Sequence, residues 1–150
     1  MRALMPAAGP AMVEFADMAR PRPRPGEALI KVEAFSVNRG ETFLLENPPA
    51  GWRPGKDVAG VVVEAPADGA GPPEGSRVVG HPPAAGWAEY AAVPASALAE
   101  LPVQIPAVDA AALPLAGLTA LRLLRVAGNV TGRRPWSSGT SKQPATATPP

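Results

Sequence analysis

The sequence predicts a mainly β protein, in which a partly open barrel is followed by a short helical segment. Short apolar runs of strand length recur along the first 100 of the 150 residues. Clusters of glycine and proline separate these runs, at the spacing that turns have in antiparallel barrels. After Pro106 the apolar residues follow helical spacing instead, and the last residues have no periodicity.

The strands are predicted from three kinds of pattern. From Ala28 to Ser36, apolar and charged residues alternate, which is typical of a strand with one buried face. Val58 to Glu64 is apolar with one internal glycine, which predicts a strand buried on both faces where another backbone comes close. Two further runs, Arg77 to Gly80 and Trp87 to Val93, complete a barrel that we expect from roughly Arg2 to Ala99.

The helical segment is predicted from about Asp109 to Ala127. Asp109 can cap a first turn, and Pro114 suits a first helical position. Gly128 can end the helix in a left-handed conformation. We therefore expect one domain, which spans residues 1–128.

The last residues differ in composition from everything before them. From Pro135 onward the chain contains one large apolar residue, Trp136, among serine, threonine and proline. Such a segment cannot offset the entropy of ordering its backbone. Residues 129–150 are therefore predicted to form a disordered tail.

Composition excludes several classes of function. The net charge is +1 and the 14 basic residues are mostly dispersed, so we expect no nucleic-acid partner. The longest nearly apolar run, Ala110 to Leu121, has about 12 residues, whereas a membrane span needs about 20. Residues 1–13 are interrupted by prolines, which excludes a signal-peptide core and favours a first strand and turn. The expectation is a cytoplasmic protein without membrane contact.

Metal and hydrolase chemistry are also disfavoured. The chain contains no cysteine and one histidine, His81, whereas catalytic zinc requires three protein ligands. We expect no zinc site. A histidine can act as an acid or base near neutral pH, but beside two prolines we expect His81 to be an exposed loop residue. A serine triad would depend on this one histidine, and no Gly-x-Ser-x-Gly turn is present.

Three side chains are candidates for a functional site. Asn38 carries an amide that can donate and accept without titrating, which suits the orientation of a carbonyl or carboxamide. Its alternative role is to bond its own turn. Thr119 could reach a cofactor or bond back to the preceding helical turn. Asp57 directly precedes a buried strand, and we expect its carboxylate to stabilise its own loop.

Three segments in this order resemble the N-terminal catalytic domain of zinc-independent medium-chain dehydrogenases and reductases, in their quinone oxidoreductase-like branch. They are Ser36-Val-Asn-Arg-Gly-Glu-Thr42, Gly55-Lys-Asp-Val-Ala-Gly-Val-Val-Val-Glu64 and Leu113-Pro-Leu-Ala-Gly-Leu-Thr-Ala120. The resemblance covers residues 2–134 and implies a GroES-like barrel. Lys56 stands where zinc-containing relatives carry a histidine, in agreement with the expected absence of zinc.

The resemblance also implies a function. It suggests that Asn38 and Glu41 act at the catalytic centre and that Asn38 and Thr119 lie near the nicotinamide. The implied reaction is hydride transfer from NADPH or NADH to a quinone, enone or similar carbonyl compound.

In that family a Rossmann domain begins after a segment like residues 132–134, and no such glycine-rich turn follows here. We therefore expect the chain by itself to bind no cofactor and to be inactive. The alternative is a non-catalytic GroES-like binding module, which could self-associate through apolar surface where that domain would pack.

Overall fold

The computed structural model describes residues 1–8, 11–129 and 131–132. A two-stranded antiparallel ribbon consists of β1 (Arg2–Pro6) and β2 (Val13–Asp17). The larger sheet contains β3 (Glu27–Phe35), β4 (Val58–Glu64), β5 (Arg77–Gly80), β6 (Tyr90–Pro94) and β7 (Leu98–Glu100). These five strands pair antiparallel in the order β6-β3-β4-β5-β7. The predicted fold class, a mainly β partly open barrel, is confirmed.

The centre of the sheet is the pair β3 and β4. Side chains on both faces of β4 are buried, including Val58, Ala59 and Val62. Gly60 pairs with Val32, and a Cβ at Gly60 would overlap the carbonyl oxygen of Lys31. The expectation of a doubly buried strand with a close backbone approach is therefore confirmed.

Two apolar clusters form the core, one on each side of the sheet. The first consists of buried residues from β3, β4, β5 and β6, which are Ala28, Ile30, Val58, Val62, Val78, Ala91 and Val93. The second contains Ala59, Leu101, Ala110 and Ala111, and it holds a short helix against the sheet. Burial of these side chains removes apolar area from water, which is the main source of fold stability.

In the described part of the chain, three α-helices accompany the sheet: α1 (Arg39–Glu46), α2 (Ala107–Ala111) and α3 (Pro114–Ala127). The predicted helical segment from about Asp109 to Ala127 is confirmed, as two helices that together span residues 107–127. The N-cap of α2 is Pro106, and the Asp109 side chain makes no capping bond. Pro114 has no backbone N–H to continue the hydrogen bonds of α2, so a second helix starts there.

Several smaller elements were not predicted. Helix α1 and strands β2 and β7 are absent from the sequence-based assignment, and each is short, with eight, five and three residues respectively. Strand β6 begins at Tyr90 instead of Trp87. The backbone N–H of Trp87 bonds the carbonyl oxygen of Pro54, in a loop, before the strand starts.

The chain after α3 was predicted with partial success. Gly128 has φ 73°, which glycine adopts readily, but its ψ of −145° is not left-handed helical as predicted. Asn129 and residues 131–132 are exposed, and residues 133–150 of the predicted tail lie outside the described residues. Among the helices that the structure describes, none has the length and apolar character needed to cross a membrane.

Candidate active site

A buried carboxylate, Asp57, lies immediately before β4 and is 0% exposed. It accepts four hydrogen bonds, from Ser36 Oγ at 2.8 Å, Asn38 Nδ2 at 2.8 Å, His81 Nδ1 at 3.0 Å and the backbone N–H of Leu115 at 3.0 Å. A carboxylate out of contact with water is stable only when such donors surround it. We call this arrangement the Asp57 network.

The Asp57 network joins four separate parts of the fold. Ser36 follows β3, Asn38 is the N-cap of α1, His81 follows β5, and Leu115 lies in the first turn of α3. The N-cap residue of α3 makes no capping bond through its own side chain. Asp57 therefore caps α3 from a distance, with its negative charge at the positive end of the helix dipole.

The network determines the orientation of the Asn38 amide. Asn38 Nδ2 lies 2.8 Å from Asp57 Oδ2 and 3.3 Å from Glu41 Oε2. Both partners are carboxylates, which only accept, so the NH2 group must face them. The remaining atom, Oδ1, faces the backbone N–H of Glu41 in the capping box of α1, and its second lone pair is left over. The amide of Asn38 therefore keeps an acceptor and no donor for further contacts, which is narrower than the donor and acceptor capacity expected from the sequence.

Glu41 lies in the first turn of α1 and is 2% exposed. Its Oε2 accepts from the backbone N–H of Asn38 at 3.0 Å, which is one half of a capping box. Its Oε1 accepts from the backbone N–H of Gly55 at 2.6 Å. Both oxygens are engaged, so Glu41 holds the start of α1 against the loop that leads to β4.

Thr119 lies in the middle of α3 with an exposed side chain. Its hydroxyl donates to the carbonyl oxygen of Leu115 at 2.7 Å, which is the back-bond that sequence reasoning held as the alternative. The oxygen of Thr119 can still accept a hydrogen bond. Because Leu115 N–H donates to Asp57, a chain of hydrogen bonds connects Thr119 to Asn38.

His81 is not the exposed loop residue that was expected. Its side chain is 34% exposed, and Nδ1 bonds Asp57 Oδ1 at 3.0 Å. Because a carboxylate only accepts, the hydrogen lies on Nδ1. The sequence contained one signal of this pairing: Asp57 directly precedes an apolar run, Val58 to Val63, and a carboxylate beside such a run is buried only with partners.

A comparison with known protein families shows to which family the chain belongs. The family model of the alcohol dehydrogenase GroES-like domain matches residues 24–103. The chain belongs to this family. The match covers β3 to β7, and therefore includes three of the four donors to Asp57.

Relatives of this GroES-like domain include quinone oxidoreductases. The chain is 33% identical over 126 residues to the chloroplast envelope quinone oxidoreductase homolog of Arabidopsis thaliana, covering 77% of this chain and 38% of that protein. It is 35% identical over 124 residues to the human quinone oxidoreductase, covering 77% of this chain and 37% of that protein. The chain thus spans less than two fifths of the length of these relatives.

Solved structures agree with this assignment. The quinone oxidoreductase from Coxiella burnetii superposes with a TM-score of 0.73 at 29% identity, covering 85% of this chain and 45% of that one. A mycobacterial protein solved in complex with NADPH superposes with a TM-score of 0.74 at 31% identity, covering 85% and 42%. The barrel and its helices therefore match the substrate-side portion of larger oxidoreductases.

The GroES-like domain thus brings Asn38 and Glu41 into direct contact and connects Thr119 to them indirectly. For residues 1–8, 11–129 and 131–132, no group of three or more acidic or histidine side chains is arranged to hold a metal ion. The expected lack of zinc binding stays a prediction.

Proposed function

We propose that this domain is the substrate-side part of an NAD(P)H-dependent oxidoreductase that reduces a quinone, an enone or a related carbonyl compound. The observation that carries the proposal is the locked amide of Asn38, whose oxygen remains available at the N-terminus of α1. The similarity to quinone oxidoreductases and to a protein that binds NADPH supports it.

The chemistry of the available atoms favours contact with the cofactor. Asn38 Oδ1 and the oxygen of Thr119 can both accept, and the carboxamide of a nicotinamide presents N–H donors. When bound, a reduced nicotinamide supplies the hydride. The contribution of Asn38 and Thr119 is to orient the ring, because hydride transfer requires the donor and acceptor carbons in a defined geometry.

Glu41 and Asp57 have positioning roles in this proposal. Both carboxylates are buried and fully engaged with donors of the domain itself. They hold the Asn38 amide in one orientation, so that Oδ1 does not exchange places with Nδ2. Asn38 has no free N–H, and therefore it does not donate to the oxygen of the substrate.

Binding of the rest of the dinucleotide needs groups that the described residues lack. Phosphates are ordinarily held by a glycine-rich turn at a helix N-terminus. Within the described part of the chain, α1 begins after Asn38, α2 after Pro106 and α3 after Leu113, without such a turn. We propose that residues 1–150 alone have no appreciable reductase activity, because contacts remote from the chemistry supply most dinucleotide binding energy.

The test is a chimera in which this domain replaces the matching segment of the human quinone oxidoreductase, assayed by oxidation of NADPH with a simple quinone. Asn38→Ala should lower kcat/KM by about tenfold or more, the loss that follows from removing an orienting contact. Asn47→Ala is the matched control, since Asn47 is exposed at the other end of α1. Equal activities of the two variants, at equal thermal stability, would contradict the proposal.

A second arm tests the isolated chain. Residues 1–150 are titrated with NADPH by fluorescence and then assayed with the same quinone. We expect neither micromolar binding nor steady turnover. Binding with turnover would overturn the proposed inactivity, while the role of Asn38 would still be decided by the chimera.

One observation favours a non-catalytic binding module as a second candidate. Helix α3 exposes large apolar side chains, among them Leu123 at 65% and Val126 at 88%. Exposed apolar surface of this kind favours association. Sedimentation velocity should then show a dimer that Leu123→Glu disrupts, and a monomer at all concentrations would exclude self-association.

A further inference from the structure

A cavity of about 590 Å³ lies between β5, β7 and the first turns of α3. This volume falls within the range of small-molecule sites, which is roughly 300–1,000 Å³. Most of its lining is apolar and includes Val79, Ala97, Leu98, Leu118 and Leu121. The cavity is therefore suited to an apolar ligand of small size.

Three of the lining side chains are polar, namely His81, Ser96 and Arg122. Ser96 and Arg122 are exposed, whereas His81 is half-buried. Nδ1 of His81 donates to Asp57, so Nε2 is the ring nitrogen left for a ligand, and it accepts when the ring carries one hydrogen. Among the described residues no donor bonds Nε2. His81 thus contributes a ring of fixed orientation to a mostly apolar lining.

We propose that this cavity binds a small aromatic molecule with a phenolic hydroxyl. The ring packs against the apolar lining, and the hydroxyl donates to Nε2 of His81. A phenol combines a flat apolar body with one strong donor, which matches the one half-buried polar side chain that the structure describes in the lining. Buried polar groups need such partners, whereas a ligand without a donor would leave Nε2 dehydrated and unpaired.

The apolar side chains of α3 that line the cavity favour the binding of an aromatic ring. Leu118 and Leu121 are each 43% exposed and both line the cavity. A bound ring would remove their apolar surface from water, which is favourable in proportion to the area covered. The cavity does not include Asn38 or Thr119, so this inference does not depend on the proposed reductase function.

The experiment is isothermal titration calorimetry of residues 1–150 with 2-naphthol, without any nucleotide. The comparison ligand is 2-methoxynaphthalene, which keeps the ring system and the oxygen but cannot donate. We expect 2-naphthol to bind about tenfold more tightly, the effect of one hydrogen bond to a partly buried acceptor. Equal affinities, or no binding of 2-naphthol, would overturn the proposal.

Two variants locate the site and its acceptor. His81→Asn keeps an amide that can donate to Asp57 but has no atom at the position of Nε2, so it should remove the preference for 2-naphthol. Ala99→Trp places a large side chain into the cavity from an exposed position on β7, so it should abolish binding of both ligands.

If either variant binds 2-naphthol and 2-methoxynaphthalene with the affinities of the unaltered protein, the assignment of the binding site is wrong. Thermal melting checks that both variants are folded. If His81→Asn does not fold, the comparison of the two ligands on the unaltered protein still decides the outcome.

Discussion

Asn38 and Asp57 share a hydrogen bond of 2.8 Å between the amide Nδ2 and the carboxylate Oδ2. The carboxylate is 0% exposed, so water cannot replace this bond without disruption of the fold. The second N–H of the same amide reaches Glu41 Oε2 at 3.3 Å. Two buried acids therefore fix which end of a site amide is presented to a ligand.

Asp57→Asn should lower the free energy of unfolding by about 2–4 kcal/mol. Each oxygen of Asp57 accepts two hydrogen bonds, so the amide nitrogen that replaces one of them would face two donors in a buried site. Urea denaturation measures the change. Asp109→Asn is the matched control, since Asp109 is exposed in α2 and makes no side-chain cap. A loss for Asp57→Asn no larger than for the control would show that the Asp57 network contributes little stability.

Glu41→Gln should destabilise the domain by about 1–3 kcal/mol, because an amide nitrogen would replace one of two oxygens that both accept hydrogen bonds. One of these oxygens holds Gly55 N–H at 2.6 Å and the other holds Asn38. Glu46→Gln at the exposed end of the same helix should have little effect. Thermal melting of the two variants compares them, and similar melting temperatures would contradict this account.

Two glycine substitutions should act in opposite directions. Gly60→Ala should destabilise by about 1–3 kcal/mol or more, because the new methyl group overlaps the Lys31 carbonyl oxygen between β3 and β4.

Gly40→Ala should stabilise α1 by about 0.5–1 kcal/mol, because Gly40 is helical and no neighbour lies within 4 Å of its Cβ position. Chemical denaturation of both variants tests the signs, and a neutral Gly60→Ala would refute the close approach.

Acid stability should depend in part on Glu89. The backbone N–H of Arg2 donates to Glu89 at 2.8 Å and holds the pKa of Glu89 below its ordinary value of 4.5. A lowered pKa in the folded state means that ionised Glu89 contributes stability above pH 4.5, and that this contribution is lost as the pH falls through the folded value. Glu89→Gln should therefore reduce the fall in melting temperature below pH 4.5.

The control for the acid experiment is Glu74→Gln, in an exposed turn before β5. It should leave the pH profile close to that of the unaltered protein. If Glu89→Gln and the unaltered protein lose stability in parallel from neutral to acidic pH, the contact between Arg2 and Glu89 does not contribute.

The amino-acid sequence by itself determined the barrel and its centre. The apolar run of β4 with its internal glycine predicted a strand buried on both faces, and the structure places Gly60 against the backbone of β3. The alternation in β3 predicted its strand, and Pro114 predicted the start of a helix. These features were readable because each depends on residues close together in the chain, through side-chain periodicity or the geometry of proline and glycine.

The tertiary structure alone decided how the candidate site is assembled. The donors to Asp57 lie 19, 21, 24 and 58 residues away from it, and no local pattern specifies such pairs. The sequence named Asn38 but left its amide able to donate or accept, and it assigned His81 to an exposed loop. Folding placed one buried carboxylate between both side chains, and the need to satisfy that charge fixed the direction of every hydrogen bond around it.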